Sequence, residues 1–179
     1  MNTRFLPATL RVAVMIVAVG TLVSASDPAA GPRARLQSPN QRTPAAEFAL
    51  KNASGKAVQL HDYRGKIVLL DFWATWCHGC QEEIPWFAEF ERRYAEKGFA
   101  VVGVSLDDDG WKVVTPFVKS ASIPYEILLG NEKTAKDYGI LSMPDTFLID
   151  REGRIAASYA GVVDKADVEK NIQSLLNQN

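Results

Sequence analysis

Apolar residues at positions 45–179 follow two spacings, one typical of buried strands and one typical of helices. Residues 67–73 and 99–106 are almost continuously apolar, which predicts strands that are covered on both faces of a sheet. Between them, over 81–97, apolar residues recur every three to four positions, which predicts a helix. Gly98 is suited to end that helix, because glycine readily adopts the left-handed conformation found after a helix C-terminus.

Shorter segments complete the predicted domain. They are a hairpin of 47–50 and 57–60, a helix over 112–120, a strand over 125–129, a helix over 132–138, a second hairpin of 146–149 and 154–159, and a last helix that Asp164 caps. Strands that alternate with helices and end in a hairpin and a helix predict an α/β domain of three layers.

The first 26 residues predict a targeting signal. Arg4 and Arg11 precede an apolar stretch over 12–23, and small residues follow it at 24–26. The apolar stretch is shorter than the about 20 residues that span a bilayer. This favours a signal peptide over the alternative, a retained N-terminal membrane anchor. Either form predicts export to the periplasm or to the outer face of the cytoplasmic membrane.

Composition places the rest of the chain among globular proteins. Residues 27–44 are rich in Pro, Gly and small polar residues and predict a flexible linker, so the folded domain is predicted over 45–179. The formal net charge is −1, which gives no indication of a nucleic-acid partner. The chain has two cysteines, Cys77 and Cys80. A disulfide across so short a loop restricts the unfolded chain little, so a structural role explains the pair poorly.

Two segments carry a resemblance to a known family. Asp71-Phe-Trp-Ala-Thr-Trp-Cys77-His-Gly-Cys80 resembles the active-site strand, turn and helix of thioredoxin, and Met143-Pro144-Asp-Thr-Phe is similar to its cis-proline loop. The combination is most similar to the exported TlpA/ResA/DsbE (CcmG) branch of thioredoxin-like proteins. The resemblance implies a thioredoxin-like α/β/α sandwich with a mixed central sheet. It also implies an N-terminal β-hairpin extension and a central insertion over 107–130.

The chain departs from the patterns of these relatives at three places in these segments. His78 and Gly79 separate the cysteines, where thioredoxin has Gly-Pro. Asp145 follows the proline and resembles the acidic residue of DsbE more than the Thr common elsewhere. Asp71 resembles the buried aspartate of thioredoxin, where many ResA and TlpA relatives have Asn. These departures affect the expected redox potential and partner rather than the reaction class.

Disulfide exchange needs a nucleophilic thiolate and a second thiol that resolves the mixed disulfide. Cys77, at the start of the predicted helix, is expected to be the nucleophile, because a helix N-terminus stabilises a thiolate. Cys80, one turn further, is expected to be the buried resolving thiol. The alternative is half of a zinc site, for which His78 and His61 are the other candidate ligands. No metal and no cofactor are predicted apart from the redox-active disulfide.

Two carboxyl groups are candidate proton acceptors. Asp71 interrupts an apolar strand, so burial is expected to raise its pKa until it can take the proton of Cys80. The alternative is a carboxylate that leans out to water. ResA-like proteins have an active-site glutamate at the place of Glu83. The alternative is that Glu82 and Glu83 merely favour the positive end of the helix.

Other residues are predicted to shape the surface that meets a partner. Pro144 is expected to be cis, to face the cysteines and to help align the substrate peptide; the alternative is an ordinary trans proline. Trp76 is expected to form an exposed apolar platform. His78 either favours the Cys77 thiolate and makes the pair more oxidising, or is a solvent-facing spacer. The remaining partner-binding candidates are Gly79, Met143 and Asp145.

The resemblance predicts an exported thiol–disulfide oxidoreductase, foremost a reductase of protein disulfides such as that of apocytochrome c. Its own disulfide is expected to be reduced by a membrane thiol conduit of the CcdA/DsbD kind. A disulfide oxidase or isomerase, a binding or chaperone module with incidental thiols, and a peroxidase are the alternatives. The intact Cys-x-x-Cys pair argues against the peroxidase, which is expected to use a lone cysteine.

Overall fold

The longest apolar runs of the chain form the centre of a mixed sheet. The structure, a computed structural model, describes Met1 and residues 31–178. The strands are β1 Thr43–Pro44, β2 Ala49–Asn52, β3 Ala57–Gln59, β4 Ile67–Trp73, β5 Phe99–Ser105, β6 Glu126–Leu129, β7 Asp145–Ile149 and β8 Arg154–Ala160. Their order across the sheet is β1-β8-β7-β4-β5-β6-β2-β3. The three central strands β4, β5 and β6 are parallel, and every other pairing is antiparallel.

Four helices cover the two faces of this sheet. They are α1 His78–Tyr94, α2 Trp111–Ser120, α3 Glu132–Asp137 and α4 Lys165–Leu176. Side chains alternate along a strand, so Leu69 and Trp73 of β4 join the core under α1, α2 and α4. Leu70 and Phe72 face the opposite way, toward Tyr138 at the end of α3. The predicted three layers and mixed sheet are therefore confirmed.

The predicted elements match the observed ones closely, with one useful difference. The helix predicted from position 81 begins at His78 instead. The reason is a cap that the apolar spacing does not reveal: the Sγ atom of Cys77 accepts a hydrogen bond from the backbone N–H of Cys80 at 3.2 Å. Gly98 ends the helical segment with φ 83°, as its position predicted.

The segment predicted as a linker over 27–44 does not behave as one where it is described. Residues 31–42, named here the N-terminal strap, lie along the domain. Asp164 N–H donates to the Pro32 carbonyl at 3.2 Å, and the strap's Gln37 N–H donates to the Ala156 carbonyl at 2.9 Å. Thr43–Pro44 then pairs with β8. The strap docks because the domain satisfies its backbone hydrogen bonds, which composition alone does not reveal.

A buried ion pair fixes the end of the N-terminal strap. The Arg42 guanidinium lies 3.1 Å from the Asp150 carboxylate, and both side chains are almost fully buried. The predicted signal peptide over 1–26 lies, apart from Met1, outside the described residues. In the described part of the chain, no helix combines the length and the apolar character needed to cross a membrane.

Candidate active site

Cys77 and Cys80 lie where β4 ends and α1 begins. They are joined by a disulfide, and Cys77 is the residue that caps α1. Cys80 has no exposed surface, whereas Cys77 keeps 6% of its own, so Cys77 is the sulfur that a partner reaches first. The position at the helix N-terminus favours a negative sulfur there when the pair is reduced.

The turn that carries the cysteines is held by a residue that the sequence did not single out. The carboxylate of Asp107, just after β5, accepts from the backbone N–H of Thr75 at 2.9 Å and from its hydroxyl at 2.6 Å. It also accepts from the Ser105 hydroxyl at 2.9 Å. The sequence did contain a clue to this role of Asp107. Asp107 directly follows a buried strand, and that strand neighbours the strand before the cysteines.

Asp71 is enclosed in the core beneath α1. Asp71 is only 1% exposed, so the alternative of a carboxylate that leans out to water is wrong. It stands on the same face of β4 as Leu69 and Trp73, which belong to the core that contains Cys80. Burial, and then the charge of Glu83, raise the pKa of Asp71 well above its ordinary value. The group is therefore suited to hold a proton at a pH where an exposed aspartate is ionised.

Glu83 is also buried and points away from its neighbour Glu82. One carboxylate oxygen of Glu83 accepts from the backbone N–H of Val163 at 2.7 Å, in the loop before α4. Its other oxygen has no hydrogen-bond partner among the described residues. Burial raises the pKa of Glu83 to about 7. Helix-terminus stabilisation alone does not explain a carboxyl group in this position.

His78 faces solvent. Its side chain is 89% exposed, and its Nε2 atom lies 3.6 Å from the carboxylate of Glu82, one turn along α1. An exposed imidazole beside a carboxylate acts only weakly on a buried sulfur, because water screens it. The geometry therefore favours the spacer over the thiolate-stabilising alternative.

The loop before β7 closes over the pair from the other side. The peptide bond between Met143 and Pro144 is cis, as predicted, and Pro144 is buried. A Cβ atom added to Gly79 would lie 3.4 Å from Pro144 Cδ and 2.6 Å from Val162 Cγ2. The absence of a side chain at Gly79 thus lets the proline and Val162 approach the turn between the cysteines.

Two large apolar side chains are exposed near this loop and the cysteine turn. Trp76 is 69% exposed directly before Cys77, as predicted. Leu141, in the loop that leads to Pro144, is 97% exposed and was not predicted. Asp145, after the proline, is partly buried, and burial raises its pKa to about 6. Exposed apolar surface beside a reactive disulfide suits contact with an apolar stretch of another chain.

The described residues offer no group of three or more His, Cys, Asp or Glu side chains that could hold a metal ion. The site that they do form is a redox pair with two buried carboxyl groups and a proline loop around it. The catalytic and partner-binding roles assigned to these residues stay predictions.

Comparison with known proteins supplies the family. The model described as the AhpC/TSA family matches residues 42–158, which include both cysteines, Pro144 and the central strands. The chain belongs to the AhpC/TSA family. Its match to that family spans strands β1 to β7 and most of β8.

Relatives of this AhpC/TSA chain carry thioredoxin-like names. Thioredoxin-like protein YneN of Bacillus subtilis is 35% identical over 130 residues, which cover 72% of this chain and 76% of YneN. Thiol-disulfide oxidoreductase ResA of Bacillus thuringiensis is 32% identical over 133 residues, covering 73% of this chain and 76% of ResA. A crystal structure of a putative thiol:disulfide interchange protein DsbE from Chlorobium tepidum aligns with a TM-score of 0.72 and 34% identity, over 76% of this chain and 97% of that one.

These similarities confirm the predicted thioredoxin-like fold and the resemblance to ResA and DsbE. Together with the intact disulfide of Cys77 and Cys80, they make this AhpC/TSA member a thiol–disulfide oxidoreductase, an enzyme that acts on protein thiols and disulfides.

Proposed function

We propose that this enzyme works as a reductase of disulfides in exported proteins. The observation that carries the proposal is the pair of buried carboxyl groups, Asp71 and Glu83, near the cysteines, while the imidazole of His78 faces water. When Asp71 and Glu83 ionise, their negative charge disfavours a thiolate on the buried Cys80 sulfur, and a pair in which one thiolate is disfavoured gives up its electrons readily. A strong oxidant needs the opposite arrangement, in which the reduced form is stabilised.

The reaction begins with the reduced pair. The Cys77 thiolate attacks one sulfur of the substrate disulfide, so that the substrate S–S bond breaks and a mixed disulfide forms. The other substrate sulfur leaves as a thiolate and takes a proton from water. Cys77 is suited to this step because it caps α1 and is the more exposed of the two sulfurs.

Resolution of the mixed disulfide needs a second thiolate. Cys80 is buried and gives its proton to Asp71, the buried carboxyl group in the same core. The Cys80 thiolate then attacks Cys77, so the mixed disulfide breaks and the Cys77–Cys80 disulfide forms. The second substrate sulfur leaves as a thiolate and takes a proton from water, so the substrate has gained two electrons and leaves as a dithiol. Glu83, with a pKa of about 7, is suited to relay the proton toward water.

The substrate and the place of action follow from the family and from the predicted signal. Similarity to ResA and DsbE supports the reduction of apocytochrome c, whose haem-attachment cysteines must be free thiols. The exposed Trp76 and Leu141 suit an unfolded segment of that kind. The predicted signal over 1–26 supports action in the periplasm or at the outer face of the cytoplasmic membrane. A membrane thiol conduit of the CcdA/DsbD kind is the proposed source of electrons.

The reduction potential of the Cys77–Cys80 pair tests the direction. Equilibrium with glutathione or dithiothreitol should give a value of about −270 to −200 mV, the range of reductases of this fold. A value of about −120 mV would instead assign the enzyme to disulfide formation. The reduced enzyme should also reduce an oxidised peptide with the Cys-x-x-Cys-His spacing. Cys77→Ser must abolish that reaction, since retained activity would leave a binding module as the better assignment.

A further inference from the structure

Thr146 is a buried hydroxyl group that the mechanism above does not use. It lies on β7, two residues after Pro144, and it is paired with Asp71 of β4 in the antiparallel register. Directly paired residues of neighbouring antiparallel strands project to the same face, with Cβ atoms about 5 Å apart. The hydroxyl group and the Asp71 carboxyl group therefore face each other in the core beneath α1.

Each group has a buried oxygen without a hydrogen-bond partner among the described residues. Thr146 has no exposed surface, and Asp71 is 1% exposed. The Oγ1 atom of Thr146 and the Oδ1 atom of Asp71 make no hydrogen bond of ordinary geometry with any described residue. Buried polar atoms in folded proteins nearly always have a partner, either another protein group or an ordered water. Because these two atoms belong to directly paired residues, each is the partner expected for the other. A small rotation of the hydroxyl group, or one bridging water, would join them.

The other groups that act on Asp71 oppose its ionisation. They are Glu83 of α1 and Asp145 at the start of β7, whose charges, together with burial, raise its pKa. Tyr125, before β6, is a third acid that interacts with Asp71. The Thr146 hydroxyl group acts in the opposite direction and lowers the pKa of Asp71, because a hydroxyl group that turns to donate to the ionised carboxylate favours that form.

We propose that Thr146 is a positioning residue, which holds Asp71 oriented and ionised so that it accepts the Cys80 proton during resolution. The inference rests on the proposed function, in which Asp71 is that acceptor. The hydroxyl group itself exchanges no electrons. The proton moves from Cys80 Sγ to an Asp71 carboxylate oxygen, the mixed disulfide breaks, and the Cys77–Cys80 bond forms.

Thr146→Val tests this, because valine has nearly the shape of threonine and lacks the hydroxyl group. The carboxyl titration of Asp71 is followed by ¹³C NMR in the reduced full-length protein. Resolution is followed as release of a peptide from the mixed disulfide. Thr146→Val should raise the titration midpoint of Asp71 by about one pH unit and slow resolution about tenfold below that midpoint. Thr146→Ser, which restores the hydroxyl group, should return both toward the wild type.

Thr134→Val is the matched control, since Thr134 of α3 is also buried and its hydroxyl group donates to Asn131, the residue that caps α3, rather than to Asp71. It should leave the Asp71 midpoint unchanged. Should Thr146→Val titrate like the wild type, the inference is overturned, and Thr146→Ala gives the same test without added bulk. Asp71→Asn separates the two proposals. If it resolves at the wild-type rate while Thr146→Val still shifts the midpoint, the Thr146–Asp71 contact stands and the proposed role of Asp71 fails.

Discussion

Glu83 shows what burial does to one carboxyl group. A glutamate with a pKa of about 7 in the folded chain binds its proton more tightly than it does in the unfolded chain. Between about pH 4.5 and 7 the folded state therefore carries more protons than the unfolded state. The stabilisation that this provides is complete at the acid end of the window and is lost as the pH rises through 7.

Glu83→Gln should remove this pH dependence. Glutamine keeps an oxygen that can accept from the Val163 N–H but cannot ionise. The wild-type free energy of unfolding should fall by roughly 2–3 kcal/mol from pH 4.5 to 7.5, and the variant should fall clearly less. Urea denaturation of the oxidised protein across this range measures the difference. Glu82→Gln, one residue away and exposed, is the control that should follow the wild type, and equal slopes for all three proteins would contradict the prediction.

The burial of these acids could be predicted only in part from the sequence. Asp71 interrupts an otherwise apolar strand, so its burial followed from the neighbours. The burial of Glu83 was ambiguous from the sequence, because Glu82 precedes it and the helix was predicted to start at position 81. Once α1 begins at His78, Cys80, Glu83 and Phe87 fall on one helix face, and the spacing predicts that Glu83 points inward. The missing information was the cap formed by the Cys77 sulfur.

At the scale of elements, the site depends on one link between two strand ends. Asp107, after β5, ties down Thr75 at the start of the turn after β4 through two hydrogen bonds. This contact joins residues 32 positions apart, so no local pattern around the cysteines reports it. Leu141 was missed for a different reason: it lies in the loop before Pro144, but the sequence gives no sign that this apolar side chain is exposed.

Asp107→Ala should loosen the turn that carries Cys77. It leaves the Thr75 N–H and the Ser105 hydroxyl without their acceptor, which should cost about 2–3 kcal/mol of unfolding free energy. Peptide reduction should slow as well, since the turn no longer holds Cys77 in place. Denaturant titration and a peptide-reduction assay measure the two effects. Asp108→Ala, at the exposed neighbouring position, should change the unfolding free energy by no more than about 0.5 kcal/mol, and an equal loss there would refute the link.

Across the whole molecule, the order of strands and helices in the sequence predicted the three layers. It also predicted that the cysteines lie at the C-terminal end of β4, where a parallel strand meets the helix that follows it. The N-terminal strap could not be predicted in this way. Its composition resembles that of a linker. Its conformation is held by hydrogen bonds to Asn171, Ala156 and Asp150 of the domain, which are more than 100 positions away.

The N-terminal strap also places its first residue, Gly31, on a defined side of the domain. Gly31 lies so close to Val162 that an added Cβ atom would be 2.1 Å from the Val162 carbonyl oxygen, and the Val162 side chain itself borders Gly79. Gly31 therefore lies on the side of the domain that carries the disulfide. The end of α4 lies at the other side, where Gln178 binds Arg42 near the start of β4.

A folded protein fused directly ahead of Gly31 should therefore slow the reduction of a protein substrate, while leaving the reduction of a small disulfide unchanged. The same protein fused behind α4 should slow neither reaction. Steady-state rates with an oxidised protein and with oxidised glutathione measure the contrast, and equal inhibition by both fusions would contradict it. A spacer of about 20 flexible residues should restore the rate, because it reaches roughly 25 Å. A surface attached at Gly31 thus keeps the disulfide on the near side, and the spacer length limits how large a partner can enter the gap.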